Sequence, residues 1–160
     1  MSNVLEIQTR DSDPESGLGL VADLIIDGRR LQDWVREIEL PYTQSEGYAD
    51  LAGSYESLPV EYFAPPSRHL FGEPSEAGAL GKNRVLLLGC PCGIIVCWPL
   101  GARIAIEKDK VSWSEFYQPY RNEEMEGTTA KYWKYEGFKF TFELGPYEKV
   151  WRKITYASRA

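Results

Sequence analysis

The sequence predicts an α+β fold: a mainly antiparallel sheet, arranged as a meander, packed by two amphipathic helices. Three observations predict it. Leu31, Trp34, Val35 and Ile38 recur at i, i+3, i+4 and i+7, which puts them on one face of a helix. Phe138, Phe140 and Phe142 alternate with Lys139, Thr141 and Glu143, the period of a half-buried strand. Between them, short apolar runs within residues 84–117 are separated by turn residues, as in a meander. At 160 residues a single domain over 1–160 is expected. A chain of this size buries enough surface to fold without disulfides or metal. Ten Tyr, six Phe and five Trp supply large side chains for strands and contacts.

In chain order, Val4–Arg10 alternates and reads as a strand. Leu20–Ile26 is a second apolar run, closed by the turn signal Asp27-Gly28. Leu31–Glu39 is the first helix, and Pro41 is expected to end it. Residues 41–83 hold five prolines and six aromatics, Tyr42, Tyr48, Tyr55, Tyr62, Phe63 and Phe71. They are expected to form a long ordered excursion around the core, with Val60–Phe63 as strand or turn. Arg84–Leu88 and Ile94–Trp98 read as strands joined by a Gly89–Gly93 reversal. Arg103–Glu107 and Val111–Tyr117 follow, with a turn at Lys108–Lys110. Pro119–Glu136 is read as a polar loop carrying Trp133. Gly145-Pro146 opens the last helix, Pro146–Ser158, since proline is tolerated in a first turn. Tyr147, Val150, Trp151 and Ile154 form its apolar face, and both helices are expected on one face of the sheet.

Charge limits the functions available. The net charge is −6 and is unevenly spread: residues 1–80 hold 15 acidic and 5 basic side chains, residues 81–160 hold 9 and 13. That balance argues against nucleic acid, whose phosphates repel an acidic chain. Lys149, Arg152, Lys153 and Arg159 complement a helix dipole without any ligand. The acidic first half suits a basic protein partner. The N-terminal residues show no basic segment leading into an apolar core, and no apolar run reaches membrane-spanning length. A cytoplasmic protein is expected, with its three cysteines as thiols. Oligomeric state is not legible.

All three cysteines, Cys90, Cys92 and Cys97, fall within eight residues. In extended backbone the sulfurs of a Cys-x-Cys pair stand about 6–7 Å apart, too far to share a zinc ion unless Pro91 folds them inward. The plain reading keeps Cys97 as a small core residue and Cys90 and Cys92 as turn residues, with no cofactor. The alternatives are a zinc site, with His69 completing a Cys3His set, or a thiol-redox site. His69, the one histidine, could also act as a general base toward a cysteine; otherwise it is a loop residue bonded to backbone. No nucleophile elbow is present, Gly17-x-Gly19 lacks the lysine of a phosphate loop, and Glu123–Glu126 lacks the pattern of a calcium loop. No catalytic set is therefore assigned. Trp113–Arg121 is a second dense aromatic stretch. In a regular strand Trp113 and Phe116 would face opposite sides, one core and one exposed.

Three pieces carry a resemblance: Gly89-Cys90-Pro91-Cys92-Gly93 before Cys97-Trp98-Pro99-Leu100; Trp113, Phe116, Gln118, Pro119 and Arg121 in a Trp-x-x-Phe-x-Gln-Pro-x-Arg element; and Pro66-Ser67-Arg68-His69. The pattern resembles an uncharacterised bacterial protein family. That resemblance implies a common site of Arg68, His69, Trp98, Gln118 and Arg121, with no activity attached. With Trp113 these form the candidate binding set. The leading expectation is a non-enzymatic interaction domain of inhibitor or immunity type. The cysteine site, or a small enzyme using His69, is the alternative.

Overall fold

The computed structural model describes residues 2–81, 83–121 and 133–155. Strands β1 (Leu5–Asp11) and β2 (Leu20–Ile26) pair antiparallel, with Leu5 opposite Ile26 and Asp11 opposite Leu20. Asp27 and Gly28 both take positive φ, 52° and 81°, the geometry that matches a two-residue turn to strand twist. The chain returns as the two-residue β3 (Arg29–Arg30) and enters helix α1 (Leu31–Ser45) directly.

A larger sheet runs in the order β4 (Glu56–Ser57), β6 (Arg84–Gly89), β7 (Leu100–Glu107), β8 (Lys110–Tyr117) and β9 (Phe140–Glu143). The short β5 (Ala79–Gly81) pairs with β6 off this path. Every strand pairing is antiparallel, so the α+β meander expectation holds, with its strands divided between two sheets. Isolated bridges tie the sheets together at both ends, Val21 to Pro59 and Asn3 to Phe142. The strands thus curl around the core as an incomplete barrel. Arg10 strengthens one seam: its Nε lies 2.9 Å from Asp23 of β2, and its other arm donates to the buried Glu56 of β4.

Helix α1 turns Leu31 and Val35 into the core, while Trp34 meets Phe140 edge to face at 5.4 Å. The helix does not stop at Pro41 as the sequence predicts. Proline removes one N–H from the ladder, but Pro41 lies on the exposed face, where the freed carbonyl can meet water. The extra turn is held on the other side by buried Thr43 and by Tyr42, which stacks on Trp133 at 6.4 Å. Helix α2 (Leu144–Arg152) buries Tyr147 against Phe71 and Phe142. It starts one residue before Gly145 and ends at Arg152, short of the predicted Ser158: residues 153–155 have left the helix, and residues 156–158 lie outside the described residues, as do Arg159 and the acidic run Glu123–Glu126.

Residues 46–81 are an ordered excursion of 3-10 turns, one of them at Val60–Tyr62, interrupted by the short strands β4 and β5, and Tyr55, Leu58, Phe63, Leu70 and Phe71 anchor it in the core. Two strand expectations need correction. Ile94–Trp98 is not a strand: Ile95–Cys97 forms a 3-10 turn, and the apolar Ile94 and Val96 point outward. The β-branched run looks like a strand, but Pro91 and Pro99 bracket it and Gly93 bends it at φ 95°. Trp113 and Phe116 do not face opposite sides either; both are buried. Between Ser114 and Tyr117 strand β8 spends one residue more than its partner, a bulge with Glu115 at φ 51°. That extra residue restores Phe116 to the inner face. Among the described residues no helix is long and apolar enough to cross a membrane.

Candidate metal centre

The loop from the end of β6 to the start of β7 carries the three cysteines. Its backbone is folded on itself: Cys90 N–H donates to the Ile95 carbonyl at 3.1 Å, Gly93 N–H to the Cys90 carbonyl at 3.2 Å, and Cys97 N–H to the Ile94 carbonyl at 2.9 Å. The closure brings the sulfurs of Cys90, Cys92 and Cys97 within 4.8 Å of one another. This overturns the extended-strand separation expected for Cys-x-Cys. Cys97 is exposed, not a core residue; Cys92 is exposed too, and Cys90 is partly covered.

Two distant segments brace the loop. On one side Ser16 Oγ–H donates to the Pro91 carbonyl. A Cβ on Gly93 would lie 2.2 Å from the Ser16 carbonyl oxygen, so only glycine allows this approach at that φ. On the other side Tyr120 Oη–H donates to the Val96 carbonyl at 3.1 Å, and its ring stacks on Trp98 at 5.8 Å. Behind Trp98, Trp133 meets it edge to face at 6.0 Å. The Arg121 guanidinium lies 5.2 Å from Trp98 and 5.4 Å from Trp133, a cation–π arrangement. Glu46 closes the group, accepting from Arg121 Nε at 3.4 Å and from Trp133 Nε1 at 2.7 Å. The wall beside the cysteine loop is therefore aromatic and internally charge-paired.

The thiols are electrostatically unequal. Burial pushes the Cys90 thiol up to about 11. The Ile94 N–H, 3.4 Å from the Cys92 sulfur, favours that thiolate and holds Cys92 below its ordinary value, helped by the neighbouring thiols. Cys92 is thus the first of the two to lose its proton.

The other candidates scatter. His69 does not join the sulfurs among the described residues. It is 1% exposed, enclosed by Tyr62 and Phe63, with Nε2 against the Leu86 carbonyl. Only an N–H can satisfy that carbonyl, so Nε2 carries the proton and is unavailable as a base. Burial holds the imidazole below its ordinary value, opposed by the Leu86 hydrogen bond. Trp113 is core, donating through Nε1 to the Tyr147 hydroxyl at 3.0 Å. Arg68 lies 4.0 Å over the Phe71 ring and 5.4 Å from Trp151. Of the set implied by the resemblance, Trp98, Gln118 and Arg121 gather at the aromatic wall, Gln118 Oε1 accepting the Tyr120 N–H at 2.8 Å. Arg68 sits instead against Phe71 and Trp151, and His69 against Tyr62, Phe63 and Leu86.

Ser16 and Glu46 support the site without a sequence signal that singles them out, whereas Tyr120 belongs to the dense aromatic stretch Trp113–Arg121 and Trp133 to the loop after it. Glu39 also escaped notice. It is a fully buried carboxylate on α1, accepting from Gly53 N–H at 2.8 Å and from the Tyr55 and Tyr135 hydroxyls at 2.7 Å each. Comparison with family models, with curated proteins and with solved structures finds no match to this chain.

Proposed function

We propose that the chain is a metal-binding protein whose Cys90, Cys92 and Cys97 hold one thiophilic ion, zinc being the first choice. The proximity of the three sulfurs, all within 4.8 Å, carries this reading. Three thiolates on one zinc ion stand about 3.8 Å apart, the edge of a tetrahedron with bonds of about 2.3 Å. Small side-chain rotations in an exposed loop supply that closure. Soft thiolates select zinc or copper(I) over magnesium or calcium. With three protein ligands from the described residues, a tetrahedral ion keeps one position for water or an incoming ligand. The residues bind and orient the ion; the Ser16 and Tyr120 braces keep the loop in register.

Reduced protein in metal-free buffer is expected to take up one equivalent of cobalt(II), giving intense thiolate charge-transfer bands that zinc removes. Cys92→Ser and Cys97→Ser should each weaken uptake at least tenfold while leaving the far-ultraviolet circular dichroism unchanged. Uptake by either variant equal to that of the parent protein would refute the site.

A second reading, the interaction domain, draws on one observation. Ile94 and Val96 are 65% and 57% exposed on this same loop, beside the acidic Asp13–Glu15 segment that Ser16 clamps to it. An apolar tip with an acidic flank suits a basic partner. Association should then slow several-fold between low and physiological salt, and Ile94→Ser should speed dissociation. A salt-independent on-rate with a captured partner would count against it.

A further inference from the structure

We propose that the cysteine loop is also an oxidation site, at which a hydroperoxide links Cys92 to Cys97 as an intramolecular disulfide. The argument is geometric. The two sulfurs are the exposed members of the cluster and lie within 4.8 Å of each other. Four residues, Gly93–Val96, separate them and already curl back on themselves, with Gly93 at φ 95° and Cys97 N–H bonded to the Ile94 carbonyl. A disulfide needs the sulfurs about 2.0 Å apart, an approach that exposed cysteine side chains make by rotation. Cys90 is the poorer partner. It is partly covered, and both its N–H and its carbonyl are tied into the loop, to Ile95 and Gly93. A Cys90–Cys92 link would also close a small ring through Pro91, whose φ is fixed.

The chemistry balances. The Cys92 thiolate attacks the peroxide, an S–O bond forms as the O–O bond breaks, and the leaving oxyanion takes a proton. The Cys97 thiol then displaces hydroxide from the sulfenic sulfur, and the released hydroxide leaves as water with the Cys97 proton. Two thiols and one hydrogen peroxide give one disulfide and two waters. The link withdraws two of the three sulfurs, so an ion held there is released; this consequence rests on the metal reading, while the disulfide does not.

The test uses the reduced, metal-free full chain with one equivalent of hydrogen peroxide. Intact mass should fall by about 2 Da, the two hydrogens of a disulfide, and alkylation should mark Cys90 as the remaining thiol. Cys90→Ser should form the same link, whereas Cys92→Ser and Cys97→Ser should not. A Cys90–Cys92 link, or three thiols that still alkylate, would overturn the proposal. Zinc-loaded protein treated in the same way should release its zinc to a chelating dye. Disulfide formation in a protein that never takes up zinc would sink the metal reading alone; zinc uptake without disulfide formation would sink this one alone.

Discussion

Trp113→Ala is expected to lower unfolding free energy by about 3–5 kcal/mol, the usual range for truncating a large buried aromatic. The ring is fully buried, with Phe142 at 5.0 Å and Phe140 and Tyr147 at 6.4 Å. Its Nε1–H donates to the Tyr147 hydroxyl, which in turn donates to the Leu70 carbonyl. One side chain thus joins β8, β9, α2 and the excursion before β5. Domains of this kind are stable by about 5–15 kcal/mol, so this loss is a large part of the whole. Trp113→Phe keeps one ring but removes the donor and the rest of the indole, for a smaller loss of about 1 kcal/mol from the hydrogen bond plus a cavity contribution. Urea denaturation of the three proteins measures both. The sequence also admits Trp113 as a binding residue, and the two roles separate here. A site residue would impair binding at unchanged stability; a core residue moves the denaturation midpoint and leaves cobalt uptake by the folded fraction unchanged.

The fold was legible where side-chain periodicity and burial agree. Leu20–Ile26 is the strand its apolar run and Asp27-Gly28 turn describe, and the predicted phenylalanine alternation holds at Phe140 and Phe142, while Phe138 stands before β9 and is only partly buried. It was illegible where the backbone breaks period. The Glu115 bulge reverses the expected facing of Phe116, and no residue type announces a bulge in advance. Ile94 and Val96 look like strand interior because β-branched residues usually are; their outward placement follows from the proline-bracketed loop. The same loop decides the site. Sequence places three cysteines close along the chain, but their convergence depends on the Cys90–Ile95 and Cys97–Ile94 backbone bonds and on braces from Ser16 and Tyr120. Those contacts span up to 75 residues of sequence, beyond any local pattern. His69 shows the converse. Its position in a proline-bounded loop suggests accessibility, yet Tyr62, Phe63 and Gly78 enclose it.

Glu39 leads to a large expected effect of pH on stability between acidic and neutral pH. Burial pushes its carboxyl up to about 7, even though the Gly53 N–H and the Tyr55 and Tyr135 hydroxyls all favour the charged form. In the unfolded chain the group titrates near 4.5. Between these values the folded protein holds a proton that the unfolded chain has lost. The stabilisation is complete below about pH 4.5, falls as pH rises, and is gone above about pH 7. A shift of this size corresponds to about 3 kcal/mol. Glu56 contributes with the opposite sign at more acidic pH: burial raises it, but Arg10 and the Asp13 and Ser57 N–H groups bring it below its ordinary value. Glu39→Gln cancels such background contributions, because it retains a neutral acceptor for Gly53 and cannot ionise. Unfolding curves of the parent protein and Glu39→Gln, taken from pH 4.5 to 7.5, should diverge by about 3 kcal/mol, with the parent losing stability relative to the variant. Parallel curves would mean that the carboxylate is already charged in the folded state. The three hydrogen bonds would then outweigh burial, and α1 would be anchored to Tyr55 and Tyr135 by a charge at neutral pH.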